Sequence, residues 1–119
     1  MIKGIGIDIV EIDRITDGIE NKILSEKELK ILKKFQGRKR KKEFIAGRFS
    51  IKESLIKACG IFIPFKKISI LNNENGKPYI DKETLRYIEE IFGEIKIHIS
   101  ISHENNYAVS MVIIEEVER

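Results

Sequence analysis

The residues of this chain whose types and spacing could do chemistry lie far apart in sequence. Asp8 ends IKGIGID, where alternation would place Gly4, Gly6 and Asp8 on one strand face and Ile5, Ile7 and Ile9 on the other. Glycines on the Asp8 face leave room for something bulky to lie against it, with a carboxylate at its end; a strand-end aspartate accepting backbone hydrogen bonds is the plainer alternative. Glu53 and Lys57 stand one turn apart in RFSIKESLIKA, residues 48–58. At about 100° per residue, Phe49, Ile51, Leu55, Ile56, Ala58 and Cys59 form an apolar arc, with Lys52 inside it and Glu53 at its border. A surface Glu–Lys pair beside a snorkelling lysine competes here with a functional carboxylate.

His103 ends HISISH in line with Ile97, Ile99 and Ile101, while His98 falls on the opposite face. Histidines facing opposite ways do not form a zinc site, and a single cysteine gives no thiolate cluster. Asp8 and Glu53 together suit a hard cation with oxygen ligands, namely magnesium, which takes few protein ligands and completes its shell with water and phosphate. The run Arg38, Lys39, Arg40, Lys41, Lys42, with Arg48 beyond it, puts cations at the positive end of a helix dipole, a conflict that an anionic partner would relieve. A solvated face, an acidic protein, phosphate groups and nucleic acid all fit that run; few aromatics lie near it, which argues against stacking on single strands. GIGID lacks the third glycine of a dinucleotide fingerprint, and neither a Walker loop nor a nucleophile elbow is present.

The elements that must position these groups are legible in outline. The alternating segment 2–10 reads as a strand. SEKE at 25–28 is a capping box opening a helix to about Phe35, and RKRKKEF leads into a second helix ending near Gly60. ISIL and PYI read as strands around NNENGK, whose Asn75-Gly76 is a turn signal. DKETLRYIEEIFG has Asp81 as N-cap, apolar Leu85, Ile88, Ile91 and Phe92, and Gly93 as its stop. EIKIHISIS and YAVSMVII form a hairpin through HENN. Helices and strands do not strictly alternate, and the late strands pair as hairpins. The expected class is therefore α+β, with an antiparallel sheet packed against helices.

Composition sets the frame. The 119 residues, 42% hydrophobic and 34% charged, fit one domain spanning 1–119 with a modest core, for which self-association is a natural supplement. A net charge of +3 excludes polyanion binding by bulk charge alone. Cys59 in an apolar helical stretch reads as a buried thiol and favours a reducing cytoplasm. No stretch approaches the roughly 20 apolar residues of a membrane span, and the N-terminus lacks the pattern of a signal peptide, so neither membrane nor export is expected.

GIGIDIVEIDRI at 4–15, AGRFSIKESLIKA at 46–58, NENGKPYI at 73–80 and ISISHENNYAVS at 99–110 together resemble holo-[acyl-carrier-protein] synthases, of the 4′-phosphopantetheinyl transferase family, in order and spacing over nearly the whole chain. The resemblance implies magnesium-dependent transfer of phosphopantetheine from coenzyme A to a serine of apo acyl carrier protein, releasing adenosine 3′,5′-bisphosphate. It implies Asp8 and Glu53 as metal ligands and Lys57 as a cation for the diphosphate. It also implies a coenzyme site lined by Asn75, Gly76, Lys77 and Pro78 with Arg48 and His103, the last two reaching the 3′-phosphate. Homotrimers with sites between subunits follow from it, as does an acidic carrier received on Arg14 and the basic helix at Arg40 and Lys41. The chain departs from the family where CGIFIPFKK replaces a glycine-rich turn and where Glu104 follows the histidine in place of a small hydroxyl. No role for Lys52 comes with the resemblance; snorkelling and internal pairing are the readings of it. The rival class is a small basic nucleic-acid-binding module using residues 38–42.

Overall fold

The computed structural model describes residues 1–118. Strand β1 (Ile2–Glu11) leads through a short 3-10 turn into helices α1 (Glu20–Ile23), α2 (Glu26–Leu32) and the long α3 (Arg38–Cys59). Then follow β2 (Ile70–Asn72), β3 (Pro78–Ile80), α4 (Lys82–Phe92), β4 (Ile95–His103) and β5 (Tyr107–Glu116). The first and last strands meet: β5 lies between β1 and β4, antiparallel to both, while β2 and β3 form a separate antiparallel pair. The expected α+β architecture with antiparallel sheets is the observed one.

Helix α3 crosses one face of the three-stranded sheet, and glycine makes that approach possible. A Cβ on Gly4 would lie 1.9 Å from the carbonyl oxygen of Ala58, and one on Gly6 would lie 1.9 Å from that of Ser54. The bulky object that the glycine face accommodates is therefore α3 itself. Between helix and sheet, the hydroxyls of Ser50 and Ser54 each meet that of Ser110 at 2.7 Å, and Ser50 Oγ donates to the carbonyl of Asp8 at 3.2 Å. Buried hydroxyls so paired cost little. Ile51, Leu55, Ile68, Ile70, Ile88, Val112 and Ile114 fill the adjoining core.

The other face of the sheet is bare. Ile5, Ile7 and Ile9 are 61%, 58% and 62% exposed, and Met111, paired with Ile7, shares their side. Several boundaries differ from the reading of the sequence. Helix α2 stops at Leu32 rather than near Phe35, and β2 begins at Ile70 because Phe65–Lys67 coil into a 3-10 turn. Asp81 stands at the N-cap of α4 without capping it, because its carboxylate takes Lys27 Nζ at 2.6 Å instead. Ile91 lies on the exposed side of α4, whereas Ile88 is wholly buried. Gly93 ends the helix with φ 80°, a conformation that only glycine adopts cheaply.

Candidate active site

Two clusters form on opposite flanks of α3. The first gathers Asp8, Glu53 and Lys57. Strand β1 carries Asp8 past the end of the glycine face, and α3, lying close on those glycines, brings its own carboxylate alongside. Lys57 Nζ donates to Asp8 Oδ1 at 3.2 Å and to the carbonyl of Ile7 at 3.0 Å. Partial burial, and then the charge of Asp8, raise the carboxyl of Glu53 above its ordinary range, with Lys57 opposing. Two carboxylates repelling one another beside a single ammonium make an all-oxygen site with unrelieved negative charge. That donor chemistry fits a hard divalent cation.

The second cluster lines a cavity of about 500 Å³ that includes Arg40, Phe44, Gly47, Arg48, Asn72, Gly76 and His103. His103 lies over α3 because position 47 has no side chain: a Cβ there would meet His103 Nε2 at 2.8 Å. Arg48 is only 5% exposed, stacks over the ring of Phe44 at 4.5 Å and donates from Nη2 to Asn72 Oδ1. Asn72 in turn donates to the carbonyl of Gly76 at 2.9 Å, so one amide ties the arginine to the turn. Burial lowers the Arg48 pKa to about 10, with Glu28 opposing, and the guanidinium remains cationic at neutral pH.

Behind Arg48 lies a buried hub around Glu28, which is fully enclosed. Its carboxylate accepts from Ser25 N and Ile70 N, both at 2.9 Å, and from Lys52 Nζ, and stands 3.8 Å from Arg48 Nε. Lys52 is wholly buried and also donates to the carbonyls of Ile23 at 2.7 Å and Phe65 at 2.9 Å. It is therefore internally paired and does not snorkel. Burial lowers its pKa, against the pull of Glu28.

The structure thus brings Asp8, Glu53 and Lys57 together on one flank, and Arg48, Gly76 and His103 on the other, with Arg40 joining the cavity. Asn75 and Lys77 point their backbone N–H groups at Asn73 Oδ1, at 2.9 and 3.0 Å, and Pro78 opens β3 opposite Asn72; none of these three lines the cavity. Arg14 is exposed and pairs with Glu11 at 3.3 Å, and Lys41 is exposed beside Arg38 and Asp17. Glu104 is exposed in the β4–β5 turn and does not line the cavity. His98 pairs with Glu115 at 3.0 Å on the far side of the sheet, as its alternation requires. Cys59 is buried, which pushes its thiol up to about 11. Among the described residues no helix is long and apolar enough to cross a membrane.

Sequence reasoning missed Asn72, Gly47, Phe44 and Glu28. Gly47 did leave a signal, since a glycine within a helix marks close approach. Glu28 was legible only as the capping-box residue, a role it fills while doing more.

Comparison with known proteins places the fold in a family. A family model described as the 4′-phosphopantetheinyl transferase superfamily matches residues 4–112. The holo-[acyl-carrier-protein] synthase of Petrotoga mobilis is 51% identical over 96% of this chain and 97% of its own. A crystal structure of the holo-(acyl-carrier-protein) synthase of Bacillus anthracis in complex with coenzyme A (3′,5′-ADP) superposes with a TM-score of 0.85 at 37% identity, over 98% of this chain and 99% of that one. That of Neisseria meningitidis also reaches 0.85, at 28% identity over 98% and 100%. With its fold, its order of motifs and nearly its whole length shared, the chain belongs to the 4′-phosphopantetheinyl transferase superfamily.

Proposed function

We propose that this protein transfers the 4′-phosphopantetheine group of coenzyme A to a serine of apo acyl carrier protein, with magnesium, releasing adenosine 3′,5′-bisphosphate, and that residues 1–119 act as one cytoplasmic domain. The observation that carries the reading is the meeting of Asp8, Glu53 and Lys57 on one flank of α3, with a separate cation-lined cavity on the other. The serine Oγ gives up its proton to solvent as it forms a bond to the β-phosphorus, the bridging Pβ–O bond breaks, and the adenosine bisphosphate leaves with that oxygen and its electron pair. Such a transfer asks for positioning and charge neutralisation more than for covalent help from the enzyme.

Each residue has a part in this. Asp8 and Glu53 would hold the magnesium, whose contribution when bound is to neutralise diphosphate oxygens. Lys57, fixed against Asp8, faces the same charge and offsets what builds on the leaving oxygens. Arg48 and His103 would grip the 3′-phosphate, and the turn of Asn75, Gly76, Lys77 and Pro78 would border the coenzyme. Arg14, Arg40 and Lys41, all exposed, would receive the acidic carrier.

The two clusters also bear on assembly. Arg48 and Glu53 are five positions apart on one helix, which turns them about 140° from each other. A coenzyme gripped at Arg48 of one copy would then reach the carboxylates of another. The bare isoleucine face supplies a surface by which copies would associate as a homotrimer.

The direct test incubates the protein with apo carrier protein, coenzyme A and magnesium and reads the carrier by mass spectrometry. A gain of about 340 Da, the mass of the transferred group, is expected. Affinity for RNA or DNA through residues 38–42, with no mass gain, would replace this reading by that of a basic binding module.

A further inference from the structure

Arg48, deep in the cavity, is placed unusually for a buried arginine. Glu28 is the carboxylate that serves it, yet Lys52 and Ser25 N hold Oε1 of that carboxylate and Ile70 N holds Oε2 at 2.9 Å. Arg48 Nε is left 3.8 Å away, buried and without a hydrogen-bond partner among the described residues. The hub thus contains Lys52 and Arg48 against Glu28 alone, an excess of one positive charge. Lys52 has spent all three N–H donors on Glu28, Ile23 and Phe65, whereas Arg48 lines the cavity.

We infer that Lys52 is a positioning residue for ligand binding: by meeting the charge of Glu28 it keeps that carboxylate from claiming the charge of Arg48, and so leaves the guanidinium available to an anionic group in the cavity. Arginine and carboxylate form strong paired hydrogen bonds whenever geometry allows. Here the facing oxygen, Oε2, gives its hydrogen bond to Ile70 N and stays 3.8 Å from Arg48 Nε, while Lys52 on Oε1 supplies the counter-charge. The inference rests on the coenzyme A reading, since it supposes that the anion is a phosphate of that ligand.

The test titrates the whole protein calorimetrically with adenosine 3′,5′-bisphosphate in the absence of magnesium, so that the readout does not depend on Asp8 and Glu53. Lys52→Met keeps the length of the side chain and leaves the charge of Glu28, still held by Ser25 N and Ile70 N, to Arg48 alone; binding about tenfold weaker than wild type is expected, from the Coulomb cost of an uncompensated carboxylate beside the site. Adding Glu28→Gln to the same chain removes that carboxylate, and affinity should return to the wild-type value or exceed it. A merely structural Lys52 would lose binding only in step with its melting midpoint, since Glu28→Gln relieves the unpaired charge in that case too; weakened binding in a Lys52→Met protein still folded at the titration temperature is the readout that a structural role does not move. Equal affinity in wild type and Lys52→Met, or a double variant no tighter than the single, overturns the inference. If Lys52→Met alone yields no folded protein by circular dichroism, the double variant decides: binding at or above wild type supports the inference, and weaker binding overturns it. A wild-type protein that fails to bind the nucleotide overturns the coenzyme A reading and this inference with it, whereas a wild type that binds while the variants disobey overturns this inference alone.

Discussion

Glu28 reaches α3 from the side of α2, and Glu53 projects from α3 on its other flank toward β1. Glu28 is fully buried yet accepts from two backbone N–H groups and the Lys52 ammonium. Glu53 is half-buried and faces a like charge on Asp8, which together with burial raises its pKa. The first carboxylate is spent on joining α2, α3 and β2. The second is held where its charge is a liability, which the proposed cation would relieve. A carboxylate enclosed and hydrogen-bonded on both oxygens is scaffold; one set against another carboxylate is a site in waiting.

The contrast breaks most sharply under truncation of the hub. Glu28→Ala leaves Lys52 and Arg48 buried without their anion, and removal of one partner from a buried ionic group costs about 3–5 kcal/mol. Chemical denaturation should show that loss as a lower midpoint. Asp8→Asn and Glu53→Gln should do the opposite: unfolding remains near wild type while phosphopantetheine transfer falls by roughly a thousandfold or more, about 4 kcal/mol of transition-state stabilisation. Turnover close to wild type in either would remove those residues from the proposed metal site.

Gly6→Ala probes what brings the open pair together. Its Cβ would lie 1.9 Å from the Ser54 carbonyl oxygen, so α3 must shift, at a cost of about 1–3 kcal/mol in stability and with a further loss of transfer as Glu53 moves from Asp8. Unchanged stability would show that the helix has slack there.

The smallest expected effect concerns pH. Because the folded-state pKa of Glu53 is raised, its contribution to stability is full below the unfolded value and is lost as pH rises through the folded one. Glu53→Gln removes that loss. The variant should therefore melt about 1–3 °C above wild type at neutral pH, with the gap shrinking toward pH 4. Magnesium should raise the melting temperature of the wild type and leave that of Glu53→Gln nearly unmoved. A gap independent of pH would mean that Glu53 carries no such strain.

Much of this was legible in the chain. Period-2 alternation set the faces of β1 and β4, and with them the line of His103 and the shared side of Gly4, Gly6 and Asp8. The helical period placed Glu53 at the edge of an apolar arc, and the motif order pointed to the family. These are local properties, set by backbone geometry within a few residues. What lay beyond reach was which distant groups meet. The partners of Lys52 come from residues 23, 28 and 65, and Arg48 is tied to the turn through Asn72. No periodicity encodes such pairings, because they exist only once α2, α3 and the β2–β3 turn have packed. The sequence by itself determined that a lysine and a glutamate would sit side by side on one helix; tertiary packing decided that Lys52 would be buried and paid for by Glu28 while Glu53 was left facing Asp8. The physical reason is that a charge can be enclosed only where the rest of the fold delivers its counter-charge and its hydrogen bonds.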